Sequence, residues 1–416
     1  MPLSRASEWC WILGAYLMLH LSFAAFQPVN QRNDGLMYDG LYYFEMATQT
    51  PRQLPPQAPA PFVYRVGTPL VAASIAKSLD WVIASGFDRI NVMASAMTVV
   101  LLTVWLGRHV TAAWTRVLVI IFFMVEPHSP MRFANYYPIN VDPAALMFLV
   151  AGLVALDWLG ERPSAGRALA VAILVAIGVA FRELVLVVGV MALATSRRPG
   201  AWAYAWWPLA AGTITFLAIR WWVVATPSDY SAFGEIQRWW RHKNAVHYGL
   251  AWFLVFGPLL TLVVFQARAS ARALLARPDW LVGLVLVGLA ALFGGSDTER
   301  LLVFASPFVY LLMARALARS GIQPTSGVMA VMVLAQLISS RAFMALGGPP
   351  PPPSVVGTEW NRLAAELTWA ASYDSLWTQF CGPGAIRFYL VWFGVLAAGI
   401  VAASRWAERQ RAAESV

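Results

Sequence analysis

Long apolar runs separated by short polar connections fill most of this 416-residue chain. They stand at 9–26, 90–107, 112–128, 141–159, 168–181, 184–195, 202–225, 248–266, 280–295, 300–314, 327–345 and 386–404. A hydrocarbon core about 30 Å thick takes roughly 20 apolar residues in helical form, fewer in hairpin-like regions. The pattern predicts an all-α integral membrane protein of about 12 transmembrane helices, folded as one polytopic domain over 1–416. Two connections stand out for length. Residues 27–89 form a first loop expected to carry short amphipathic helices, and 346–385 form a loop that opens on Gly347-Gly348 and the run Pro349 to Pro353. That proline run predicts a stiff polyproline II strut.

Two stretches need a decision. Residues 66–85 are apolar but interrupted by Lys77 and Asp80, which predicts an amphipathic helix at the membrane surface. Residues 168–195 are too long for one span, and a single helix would bury Arg182-Glu183 at mid-membrane. A hairpin of two short helices with that pair at its tip costs less.

Charge gives the orientation. Only 12% of residues are charged, against about 25% in a soluble domain, while 59% are hydrophobic. The net charge of +9 sits in alternate connections: Arg108/Arg116, Arg162/Arg167, Arg197/Arg198, Arg268/Arg272/Arg277, Arg315/Arg319 and the tail with Arg405, Arg409 and Arg411. Short basic loops of this kind face the cytoplasm, so both termini are placed there and no nucleic-acid surface is expected. The opening run lacks a small-x-small exit and reads as an uncleaved first span. Cys10 and Cys381 fall on opposite faces, which excludes their pairing. Neither a soluble domain nor an internal repeat stands out.

With this threading, five polar patches emerge on the outer face: Asp34/Asp39/Glu45, Arg65, Glu126/His128/Arg132, Arg182/Glu183 and Asp297/Glu299/Arg300. Ionisable residues near membrane depth are candidates for function. Asp39 precedes a helical spacing that puts Tyr42, Tyr43 and Met46 on or near one face. It suits a helix N-cap, and equally a general base whose carboxyl is raised by burial among aromatics. Tyr64-Arg65, held between Pro61 and Pro69, suits either an interfacial anchor or a phosphate clamp. The charges at 182–183 and 297–300 neutralise helix ends or line a site. Glu126 and His128 lack the further ligands that a metal centre requires. The stretch Asn135 to Asp142 reads as a loop end that caps the next span. No Walker loop, dinucleotide fingerprint, HExxH or GxSxG occurs, so those routes to chemistry are not available.

The layout, with Tyr38-Asp39-Gly40-Leu41-Tyr42-Tyr43, Phe62-Val63-Tyr64-Arg65-Val66-Gly67-Thr68-Pro69, Arg182-Glu183 and Asp297-Thr298-Glu299-Arg300, resembles the bacterial multi-span glycosyltransferases of the GT-C superfamily. The resemblance implies a bacterial inner-membrane enzyme that uses a polyprenyl-phosphate sugar at the extracytoplasmic face, inverting the anomeric carbon. It implies Asp39 as catalytic base, with Asp34 as the alternative. Glu45, Tyr64, Arg65, His128, Arg182, Glu183, Asp297, Glu299 and Arg300 would contact substrate. The acceptor would be a glycan, lipid or protein. The chain departs from members with a tight Asp-x-Asp or Glu-x-Asp pair, which leaves a divalent cation open as a requirement. The competing readings are a transporter or flippase of envelope-polysaccharide precursors and a non-catalytic assembly partner. Charges gathered at one face, rather than near the midplane of matched halves, favour the enzyme.

Overall fold

A computed structural model describes residues 4–27, 29, 36, 39–50, 54–195, 202–228, 230–243, 245–294, 298–322, 325–340 and 383–414. Asp34, Asp297, Cys381, the proline run and all but the last three residues of the 346–385 loop lie outside them. The helices are α1 (Arg5–Phe26), α2 (Gly40–Gln49), α3 (Gly67–Ser78), α4 (Ile83–His109), α5 (Ala113–Val125), α6 (Pro130–Tyr136) and α7 (Asp142–Glu161). There follow α8 (Ala165–Phe181), α9 (Leu186–Thr195), α10 (Trp202–Trp222), α11 (Ala232–His242), α12 (Ala245–Phe256), α13 (Leu260–Phe265) and α14 (Ala267–Ala276). The chain continues through α15 (Pro278–Phe293), α16 (Thr298–Leu302), α17 (Ser306–Ser320), α18 (Ser326–Ser339) and α19 (Pro383–Glu414).

Six helical stretches are long and apolar enough to cross a membrane, or seven if α14 and α15, bent by 111°, count as one. Several other predicted spans are shorter apolar helices, among them Ala165–Phe181 and Ala245–Phe256. Depth in the bundle differs sharply. The stretch Ala113–Tyr136 is 94% buried and forms the centre with α17, whereas α1 is 17% buried and turns Trp11, Leu17 and Leu21 outward. An apolar helix needs no protein partner where lipid can solvate it, so outward leucine and tryptophan carry no penalty there.

Breaks in the helices follow local chemistry. Ser129 caps α6 by accepting from the Arg132 amide, with Pro130 at the first helical position where its missing N–H costs nothing. The run expected at 112–128 therefore ends early at Val125, and Glu126-Pro127 turns the chain. The run expected at 248–266 is two helices, α12 and α13. Gly257 has φ +74°, and a Cβ there would meet Gln336 Oε1 at 1.7 Å, so only glycine fits. The 66–85 stretch is α3 followed by a turn, and α4 starts before the predicted 90. The chain breaks at Arg182, as the hairpin reading requires, with a 3-10 turn over Glu183–Val185. One feature departs from an all-α chain: β1 (Gln57–Pro59) pairs in parallel with β2 (Val224–Thr226). This short ladder ties the first loop to the end of α10.

Candidate active site

Asp39 stands just before α2, but its side chain makes no cap bond. The first free amide of the helix, that of Gly40, donates instead to Tyr137 Oη at 2.5 Å. The capping reading of Asp39 thus gives way, because another residue does that work and the carboxylate is free to turn elsewhere. Gly40 is required by close approach, since a Cβ would lie 2.9 Å from the Ile139 carbonyl oxygen and about as near the Tyr137 ring. The Asp39 carboxylate accepts from Arg300 Nη1 at 2.5 Å.

Arg300 is the hub. On the short helix α16, it also donates Nε to Asp142 and Nη2 to Asn140 Oδ1 at 3.3 Å, and it faces the Phe133 and Tyr137 rings. Asp142, the first residue of α7, pairs in turn with Arg182. Asn140 Oδ1 accepts from the Asp142 amide as well. With its oxygen held by two donors, its Nδ2 is buried without a hydrogen-bond partner among the described residues.

Beside this group, Arg65 Nη2 and Nε grip Glu183 at 2.9 and 3.2 Å, and Nη1 donates to Tyr43 Oη at 2.9 Å. The bidentate fork is the stronger arrangement for an arginine and a carboxylate. Arg182 and Glu183 therefore do more than neutralise helix ends. Each reaches a residue distant in sequence. Three arginines and three carboxylates, from five segments of chain, form one cluster, a network of two ion-pair groups, Asp39–Arg300–Asp142–Arg182 and Arg65–Glu183, which adjoin at the 182–183 peptide. Asp39 and Glu183 are its most accessible members, 15% and 34% exposed, while the side chains of Asp142, Arg182 and Arg300 are 4–6% exposed.

The electrostatics revise the expected base. Burial pushes the Asp39 carboxyl up, but Arg300, then Arg65 and Arg182, outweigh it and hold the group below the ordinary carboxylate value. The raised carboxyl expected from aromatic surroundings is overturned, since the neighbours that count are cations. Burial lowers Arg65, yet Glu183 and Tyr43 more than restore it, so it stays fully charged. Arg182 is lowered to about 9 by burial, with repulsion from Arg65 and Arg300 adding to it.

The remaining predicted residues are placed differently. Glu45 is exposed on α2 and has no part in the network's ion pairs. Tyr64 is half-buried, its ring under the Arg220 guanidinium at 4.2 Å. Glu299 is buried beside Arg300. The Glu126/His128/Arg132 patch is adjacent but separate: Glu126 accepts from Ser306 and Tyr310, Arg132 donates to Gln27 and the Ser340 carbonyl, and His128 packs on Phe133. Phe133 is the wall between this patch and Arg300. Asp142 was expected only to cap a span. The available signal was its position, an acid directly after an outer loop, like the residues of the other patches. Asn140 and Tyr137 offered no signal beyond the same loop.

A resident divalent cation does not fit the described residues. Asp39 and Asp142 are both committed to Arg300, and no group of three or more His, Cys, Asp or Glu able to hold a metal occurs among the described residues.

No protein-family model and no curated protein matches the chain. Among solved structures, the oligosaccharyltransferase of Archaeoglobus fulgidus aligns at 11% identity, with TM-score 0.48 when tethered to an acceptor peptide containing the NVT sequon and 0.49 in its apo form. Each alignment covers 89% of this chain and 55% of the other, so the chain spans little more than half the length of those proteins. Likeness at that level assigns no chemistry, and the network above has to carry any assignment.

Proposed function

We propose that the chain is a membrane glycosyltransferase of the GT-C kind that moves a sugar from a polyprenyl-phosphate donor to an acceptor hydroxyl or amide, with inversion, at the extracytoplasmic face. The observation that carries this reading is the Asp39 carboxylate held on Arg300 in a charge-balanced network at one end of an apolar bundle. Buried arginines and carboxylates in a membrane protein are costly unless function retains them.

The acceptor oxygen or nitrogen attacks the anomeric carbon while the bond from that carbon to the phosphate oxygen breaks. The acceptor proton passes to Asp39, and the polyprenyl phosphate leaves with the electron pair. One displacement inverts the centre. At rest Asp39 is a poor base, because Arg300 stabilises its charge. A phosphate that draws on Arg300 weakens that contact, which raises the carboxyl toward the range a base needs. Asp142 keeps Arg300 in place during the exchange. Fixed cations facing the developing phosphate charge supply several kcal/mol, roughly 3–4 for one well-placed donor.

The test uses purified protein in liposomes with a labelled polyprenyl-phosphate sugar and a mixture of acceptors. Acceptor-dependent release of polyprenyl phosphate is expected, and Asp39→Asn lowers it by about 10²–10⁴-fold while the variant still unfolds cooperatively at neutral pH, below wild type by the margin that the lost ion pair sets. Sugar that crosses the bilayer uncleaved would instead make the protein a carrier.

A further inference from the structure

The network leaves one neighbouring cation out. Arg65, Arg182 and Arg300 each have a carboxylate partner, whereas Arg220 has neither a carboxylate nor a hydrogen-bond partner among the described residues. Its guanidinium lies 3.5 Å from the Phe216 ring centroid and 4.2 Å from that of Tyr64. Tyr64 directly precedes Arg65, whose guanidinium grips Glu183. Arg220 therefore stands next to the most accessible part of the network.

Its position is fixed from two sides. Phe216 is one helical turn earlier on the same face of α10, and the β1–β2 ladder secures the chain just beyond α10 to the loop that carries Tyr64. The flank of α10 next to it faces outward: Ile214 is 66%, Leu217 58% and Trp221 89% exposed. These positions form a lipid-facing ridge by their spacing. A cation with no ion-pair partner among the described residues, set between a lipid-facing ridge and aromatic rings, is expensive, and aromatic contact of this type recovers only part of that cost. An anion that arrives laterally from the bilayer balances it.

We infer that Arg220 receives the phosphate of a lipid-borne substrate and positions it at the open side of the Asp39–Glu183 network. The inference rests on the functional reading above and adds the residue that captures the charged group and the direction of approach. The ligand class is a phosphate ester on an apolar tail.

The experiment measures binding of farnesyl phosphate and of farnesol to the full chain in neutral phosphatidylcholine nanodiscs. Wild type is expected to prefer the phosphate, Arg220→Gln to lose at least about tenfold of that preference, and Arg220→Lys to keep part of it, since a point charge attracts phosphate without the planar fork. Millimolar inorganic phosphate and added phosphatidylglycerol are expected not to compete. Equal preference in wild type and R220Q, with both proteins unfolding at the same temperature, overturns the role of Arg220 alone. Absence of any preference in wild type overturns the lipid-phosphate reading of the whole site. Competition by inorganic phosphate or by phosphatidylglycerol shows a free-phosphate or general headgroup site and overturns the inference as stated.

Discussion

At the scale of single residues, the outcome turns on which partner a side chain finds. Asp39 is a fair N-cap by sequence, yet Tyr137 satisfies the Gly40 amide and Asp39 goes to Arg300. That choice sets a pH dependence. The folded carboxyl titrates below its ordinary value, so its stabilisation is fully present above the unfolded value of about 3.9 and is lost as pH falls through the lower folded value. The melting temperature of wild type is therefore expected to exceed that of Asp39→Asn by a constant margin from about pH 8 to 5, narrowing only below about pH 4. A margin that has already vanished near pH 6 would mean that Arg300 does not hold the carboxylate. Arg182, lowered to about 9, remains mostly protonated across the same range.

At the scale of elements, short pieces do the positioning. The brief helices α2 and α16 and the turn at Glu183–Val185 bring Asp39, Arg300 and Glu183 together, while the long helices supply the wall behind them. The docking of α2 depends on the absence of a side chain at Gly40. Gly40→Ala pushes a methyl against the Ile139 carbonyl and Tyr137. It is expected to cost about 1–3 kcal/mol in unfolding free energy and to reduce transfer more than stability alone explains, since Asp39 is carried along. Unfolding in detergent together with activity per folded molecule checks both. The breaks at Glu126-Pro127 and Gly257 were visible as residue types, but hydropathy averages over them, which is why the span predicted at 112–128 stops at Val125 and the one at 248–266 is two helices.

At the scale of the whole molecule, polar groups are sorted to two ends. Asp39, Arg65, Asp142, Arg182, Glu183 and Arg300 meet at one. Another set of ion pairs joins basic connections, with His109 and Arg277 sharing Asp157 and Arg108 on Glu161. The positive-inside rule predicts a cytoplasmic position for this second set. In a cysteine-free background, a membrane-impermeant maleimide applied to intact cells is expected to label Glu45→Cys and to leave Arg162→Cys unlabelled until the membrane is opened. Both positions are exposed, so accessibility of the fold is not in question. Labelling in the opposite order would reverse the orientation and remove the extracytoplasmic placement of the site.

Hydropathy and loop charge are local properties, and they determined the helical membrane class of the protein and the positions of its long apolar helices, while the short helices α6, α11 and α14 fell in segments read as connections. The break at Arg182 followed from the cost of burying a charge pair. Partnership is a different matter, because it joins residues up to 261 positions apart. Only the packed chain could show that Asp142 is a bridge between two arginines, that Asp39 is held low by cations, and that Arg220 stands beside the network with no ion pair among the described residues. Electrostatic energy depends on distance in space, and a linear order of residues does not contain that distance until tertiary packing sets it.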